Sequence, residues 1–155
     1  MPERFGYLYD ELSSWENLLL ALKKSAKRKK AKDETAEWLF YQEERIFELR
    51  QALIEKTYKP DPYNYFIIRE PKERIISVAS FRDRVVHHAL VNIIEPLFEK
   101  VFISDSYATR KEKGLHRAVK KAQFCCRKNQ WYLKLDIKKY FESIDHGILL
   151  SLINR

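Results

Sequence analysis

Residues 81–100 constrain the fold more than any other stretch. Val85, Val86, Ala89, Leu90, Ile93, Ile94 and Leu97 form a double apolar stripe at helical spacing, the strongest helical pattern in the chain. Arg82, Asp83, Arg84, His87, His88 and Asn92 share the remaining surface. Pro96 is expected to kink or end this helix, because proline lacks an N–H and clashes with the preceding turn. His87 and His88 invite a metal assignment. Neighbours on a helix diverge by about 100°, so the pair is read as ordinary helix histidines.

Two further helices are expected upstream. In 11–32, Leu12, Trp15, Leu19 and Leu22 recur at helical spacing. That helix ends in Lys23, Lys24, Lys27, Arg28, Lys29, Lys30 and Lys32, seven cations in ten residues without an acid. Two readings stand side by side: a solvated helical tail, or a contact with RNA phosphates that releases counterions. In 34–56, Leu39, Ile46 and Leu53 repeat every seven, flanked by Phe40, Phe47 and Ile54. So wide a stripe is expected to be core. Lys59-Pro60-Asp61-Pro62 stops it.

The period then changes. Tyr65–Arg69 and Arg74–Val78 are β-branched or aromatic runs around Glu70-Pro71-Lys72-Glu73, which predicts a β-hairpin. Residues two apart on a strand face the same way, so Lys72 and Arg74 could address one triphosphate; an ordinary charged hairpin tip is the simpler reading. Ser104–Gly114 reads as a polar loop. His116–Lys128 reads as a helix that adds Arg117, Lys120, Lys121, Arg127 and Lys128. Trp131–Ile137 reads as a strand, and Asp145 as the cap of a last helix over Gly147–Ile153.

Composition excludes several classes. The 155 residues suit one domain of ordinary size, and 45% hydrophobic content with only 3 glycines and 5 prolines argues against disorder. No apolar run reaches the roughly 18 residues of a membrane span, and MPERFGYLYDEL does not read as a signal peptide. Cys125 and Cys126 are adjacent and there is no CxxC pair, which disfavours a disulfide framework or structural zinc and suits reduced thiols in a cytoplasmic protein. A net charge of +8 favours a polyanionic partner. A membrane-surface role fits poorly, since no basic helix carries a long clean apolar face.

The chemistry concentrates in Leu133–His146, LKLDIKKYFESIDH. Leu133, Leu135 and Ile137 alternate with Lys134 and Asp136, so the acid is placed opposite the apolar face at a strand end. A carboxylate flanked by cations suits Mg²⁺ with a phosphate. One aspartate is half a site, because two-metal phosphoryl transfer needs a second acid. Asp145 is the nearby candidate unless it caps the helix. Phe141 fits either core or the wall of a site.

YKPDPYNYFIIREPKERIISVASFRDRVVHHAL (58–90), IEPLFEKVFISDSYATRKEKGLHRA (94–118) and LKLDIKKYFESIDH (133–146) occur here in an order and spacing that together resemble one family. The chain is similar to the N-terminal part of bacterial reverse transcriptases, the RNA-directed DNA polymerases of retron, group II intron and diversity-generating retroelement type. The wording of 70–90 and 105–116 is most similar to the diversity-generating type. The resemblance implies an α+β fold: a mostly helical fingers subdomain with a β-hairpin, plus the first strand and helix of a palm, an incomplete right-hand polymerase. It implies an N-terminal helical region (1–57), fingers (58–130) and the start of the palm (131–155).

The resemblance also implies roles. Asp136 matches the first catalytic aspartate, which binds Mg²⁺, and Ile137 offers its carbonyl to one ion. Phe141 matches the aromatic gate against a ribose 2′-OH. Lys72 and Arg74 match the residues that hold the incoming dNTP, and Arg110 lies in the motif near template and nucleotide. The implied partners are an RNA template, a DNA or RNA primer and dNTPs, with a small accessory protein if the chain is of the diversity-generating type. The implied setting is the cytoplasm, bacterial or phage-encoded. The family also uses a later aromatic-x-Asp-Asp motif, and no Asp-Asp pair occurs in these residues. The expectation is therefore an N-terminal fragment of a two-metal polymerase, inactive alone. A non-catalytic RNA-binding module is the alternative.

Overall fold

The computed structural model describes residues 6–29, 31 and 33–154. The described chain is rich in helix, with one two-stranded antiparallel sheet. It divides into two compact units, Phe5–Val101 and a second built on Phe102–Arg155.

The first unit holds α1 (Leu8–Leu12), α2 (Trp15–Ala26), α3 (Asp33–Phe40), α4 (Gln42–Ile54), β1 (Asn64–Ile68), β2 (Arg74–Val78) and α5 (Phe81–Val101). The single helix expected over 11–32 is broken at Ser13–Ser14. The Ser14 hydroxyl accepts from the Asn17 N–H at 3.3 Å and starts a new helix there. The break resets the buried face to Leu18, Ala21, Leu22, Ser25 and Ala26, leaving Trp15 and Leu19 partly in solvent. The helix expected over 34–56 is likewise two helices, parted at Tyr41. One of its two stripes is core: Ile46 and Leu53 are buried and Leu39 packs against them. The other is not, with Phe40 80% and Phe47 52% exposed.

The long helix forms as its pattern predicts. α5 lies along α2, and Phe81, Val85 and Ala89 meet Leu18, Ala21, Leu22, Ile46, Leu49 and Leu53 in one apolar core. Trp38 of α3 closes it, its ring centroid 5.4 Å from that of Phe81. Asn17 is a buried polar bridge: its amide donates to the Leu12 and Ala89 carbonyls, and its oxygen accepts from Asn92 at 2.8 Å. The helix runs through Pro96 to Val101, so the proline does not end it.

Asp83, 2% exposed, organises the polar side of this unit. Its carboxylate accepts from the Tyr58 hydroxyl at 2.6 Å and from the Asp61 N–H at 2.9 Å. Ser80 accepts from the Asp83 N–H at 3.1 Å and donates to the Asp61 carboxylate at 2.7 Å. Glu34 accepts from the Phe81 N–H and pairs with Arg84 at 2.9 Å. These contacts satisfy N–H groups at the α5 start that would otherwise lack partners. They also join the segments that enter β1 and leave β2, so both roots of the hairpin are fixed to one helix terminus. The strands pair from Asn64↔Val78 to Ile68↔Arg74, forming the hairpin that the β-branched and aromatic runs predict, with the first strand one residue earlier than the expected Tyr65–Arg69.

The second unit contains α6 (Gly114–Lys128), α7 (Tyr140–Ser143) and α8 (His146–Ile153). None of its described residues is buried. The strand expected over 131–137 is not formed. Alternating side chains alone do not make a strand, since each edge needs a ladder partner, and among the described residues none pairs with this segment.

Removing the Asp83 carboxylate strands two donors, so Asp83→Ala should lower unfolding stability by about 3 kcal/mol. Ile46→Ala should cost about 2–5 kcal/mol through its cavity, whereas exposed Phe40→Ala should stay within about 0.5 kcal/mol. Urea titration followed by circular dichroism measures all three.

Candidate nucleotide-binding and catalytic site

Lys72 lies in the bend of the hairpin, and Arg74 opens β2 opposite Ile68. Strand alternation therefore does not apply to Lys72, and the shared-face argument for the two cations fails. Both residues are exposed. What holds them in place is the hairpin, whose roots are tied through Asp61, Ser80 and Asp83.

Arg110 belongs to the loop between Val101 and α6. Its guanidinium donates to the Ile103 carbonyl at 2.9 Å and the Ser106 carbonyl at 3.2 Å, and lies 5.2 Å from the Phe102 ring centroid. Lys113 donates to the Ser104 carbonyl at 2.6 Å. The loop is thus folded around its own cations. Thr109, Glu112 and Gly114 take positive φ in it, a conformation that costs glycine least.

Asp136 lies on a solvent-exposed segment outside helix and strand, with Leu133, Leu135 and Ile137. Lys139 then turns the chain with φ 53° into α7. Phe141, on α7, is 85% exposed and meets Tyr140 edge to face at 5.2 Å. Lys139 and Glu142 pair at 3.1 Å. Asp145 caps α8, its carboxylate accepting from the Ile148 N–H at 2.9 Å, as the sequence predicts for a capping aspartate. Among the described residues no group of three or more His, Cys, Asp or Glu side chains is disposed to hold a metal ion. The local donor set is one carboxylate, which does not by itself fit a centre for phosphoryl transfer.

The basic run divides. Lys23 and Lys24 close the last turn of α2, where cations favour the helix dipole. Lys24 also donates to the Asn92 side chain. Lys27, Arg28 and Lys29 follow in turns. Lys30 and Lys32 lie outside the described residues. Partial burial of His88, then the charges of Lys24 and Lys29, hold its imidazole below its ordinary value of 6.5. His87 is exposed on the adjoining face.

Sequence reading missed the Tyr58–Asp61–Ser80–Asp83 cluster. A signal was present, because Ser80 stands three residues before Asp83, the spacing of a helix-start capping pair. Partial burial, then the Asp83 carboxylate, pushes the Tyr58 phenol well above its usual range.

A histidine whose folded pKa is depressed takes up its proton more readily once unfolded. Stability should therefore be full above pH 6.5 and fall as the pH drops below it, and His88→Gln should flatten that slope. Unfolding titrations of both proteins between pH 5 and pH 8 (an order-of-magnitude window around the ordinary histidine range, ~6.5) check this.

Residues 58–155 match the family described as reverse transcriptase (RNA-dependent DNA polymerase). The group II intron-encoded protein LtrA of Lactococcus lactis subsp. cremoris is 32% identical over 134 residues, covering 84% of this chain and 22% of that protein. YkfC of Escherichia coli is 28% identical over 114 residues, 69% of this chain and 30% of that protein. A putative COX1/OXI3 intron 1 protein of Saccharomyces cerevisiae is 26% identical over 100 residues, 63% of this chain and 12% of that protein. The chain thus spans between about a tenth and a third of these relatives. With the match running over more than half its length, through the hairpin, the 102–113 loop and the Asp136 segment, this chain belongs to the reverse transcriptase family.

Proposed function

We propose that this chain carries the nucleotide-facing part and the first catalytic carboxylate of an RNA-directed DNA polymerase. The observation that supports it is the family match over 58–155, a span that includes Lys72, Arg74, Arg110, Asp136, Ile137 and Phe141, the residues to which the sequence resemblance assigns roles. On this reading 1–57 is an N-terminal helical region, 58–130 the fingers and 131–155 the start of the palm. The intron-encoded relatives favour a group II intron lineage over the diversity-generating one. An accessory protein, tied to the latter, loses support accordingly.

The reaction is nucleotidyl transfer on an RNA template: the primer 3′-oxygen bonds to the α-phosphorus of a dNTP, the α–β phosphoanhydride bond breaks and pyrophosphate leaves. Lys72 and Arg74 bind the triphosphate and offset charge that develops on it. Phe141 presses against the sugar and leaves no room for a 2′-OH. Asp136, with the Ile137 carbonyl, is one part of a divalent-ion site, Mg²⁺ by the preference of carboxylate and phosphate oxygens. Bound there, the ion would supply charge stabilisation. Its remaining ligands are not assigned from these residues.

The second reading is a non-catalytic RNA-binding module, favoured by the net charge of +8 and the run from Lys23 to Lys32. Mg²⁺-dependent dNTP binding separates the two, since a plain RNA-binding module should lack it.

In a polymerase carrying these residues with the rest of its palm, Asp136→Ala should abolish primer extension on RNA. Retained synthesis would remove the catalytic role. Phe141→Ala should admit ribonucleotides, read from competition between rNTP and dNTP, and unchanged sugar selectivity would remove the gate.

A further inference from the structure

α6 is amphipathic in an unusual way. Arg117, Lys120, Phe124, Arg127 and Lys128 follow the three-and-four spacing of one helical face, within a sector of about 100°. The helix contains no acid. Leu115, Ala118, Val119, Ala122 and Cys126 fall on the opposite side, so any packing of this helix by its apolar face leaves the cationic face in water.

Two features separate this face from an ordinary solvated one. Solvated helix faces generally mix both signs of charge, whereas Arg117, Lys120 and Arg127 enter no ion pair among the described residues. A large aromatic ring also sits at the centre of the charge. Phe124 is 53% exposed, and the Lys128 ammonium lies 4.3 Å from its ring centroid. Lys121, at the margin, is engaged with Asp105 at 3.4 Å.

We propose that this face of α6 is a binding site for an unpaired RNA strand, with Phe124 stacking on one base and Arg117, Lys120, Arg127 and Lys128 contacting the flanking phosphates. Interleaved cations and an exposed ring are what single strands require, because the phosphates supply charge and an unpaired base supplies a free π-face. A duplex offers only the phosphates. The site deepens the polymerase reading by naming a path for unpaired template, and it rests on that reading only for choosing RNA over DNA. Its test uses no dNTP and no synthesis, so it can fail independently.

The test is fluorescence anisotropy of the 155-residue chain with a labelled single-stranded RNA oligonucleotide and with the same sequence as a duplex. Phe124→Ala should weaken single-strand binding about tenfold, the scale of one base stack, and leave duplex binding unchanged; Phe124→Trp should restore it. Combined Arg117→Gln, Lys120→Gln and Arg127→Gln should weaken both, and lower the slope of log affinity against log salt by about 2. Equal losses for single strand and duplex on Phe124→Ala, or an unchanged salt slope in the triple variant, would overturn the proposal. Photocrosslinking of wild-type protein to 4-thiouridine RNA is independent of variant folding. Crosslinks within Gly114–Lys128 support the site, and their absence there, with crosslinks elsewhere, overturns it.

Discussion

The buried Asp83 carboxylate is the interaction on which the rest of the first unit depends. A charge taken out of water must be met by donors or it unfolds its surroundings. Here the donors are the Tyr58 hydroxyl and the Asp61 backbone, both from the chain that leads into the hairpin. The carboxylate sits in the first turn of α5, where the helix terminus also favours negative charge. Satisfying one buried acid therefore fixes three things together: the start of the longest helix, the strap after α4, and the base of the hairpin that carries Lys72 and Arg74.

The clamp matters because a two-stranded hairpin has little stability of its own. All five residues of β1 and three of five in β2 are exposed. Its position is inherited from the α2–α4–α5 core through Ser80, Asp61 and Asp83. The triphosphate-binding role proposed for its tip would thus rest on groups that never reach the tip. The described residues of the second unit contain no buried acid of this kind. With none of its described residues buried, its order comes from local devices: the Asp145 cap, the Arg110 and Lys113 bonds to loop carbonyls, and the α6 helix itself.

Much of this was legible from local pattern. The hairpin, α5, α6 and the Asp145 cap follow from β-branched and aromatic runs about a turn, helical spacing and capping chemistry, all of which act over a few residues. The errors share one cause. Apolar spacing over 11–32 predicts one helix, yet the Ser14 hydroxyl caps a new one. Periodicity places Phe40 and Phe47 on a core-facing stripe, but it reports a face without reporting how wide its covering is, and both rings are exposed. Pro96 is expected to kink or end α5, and the helix does not end there but runs on to Val101.

The sequence by itself determined the family and the period of nearly every element, because motif order and side-chain spacing are properties of the chain alone. Tertiary structure decided which apolar face is buried, that Asp83 rather than a hairpin residue holds the hairpin, and that 131–137 finds no ladder partner among the described residues. Burial, buried hydrogen bonds and strand pairing each need a partner distant in sequence, and no local spacing encodes that partner's presence.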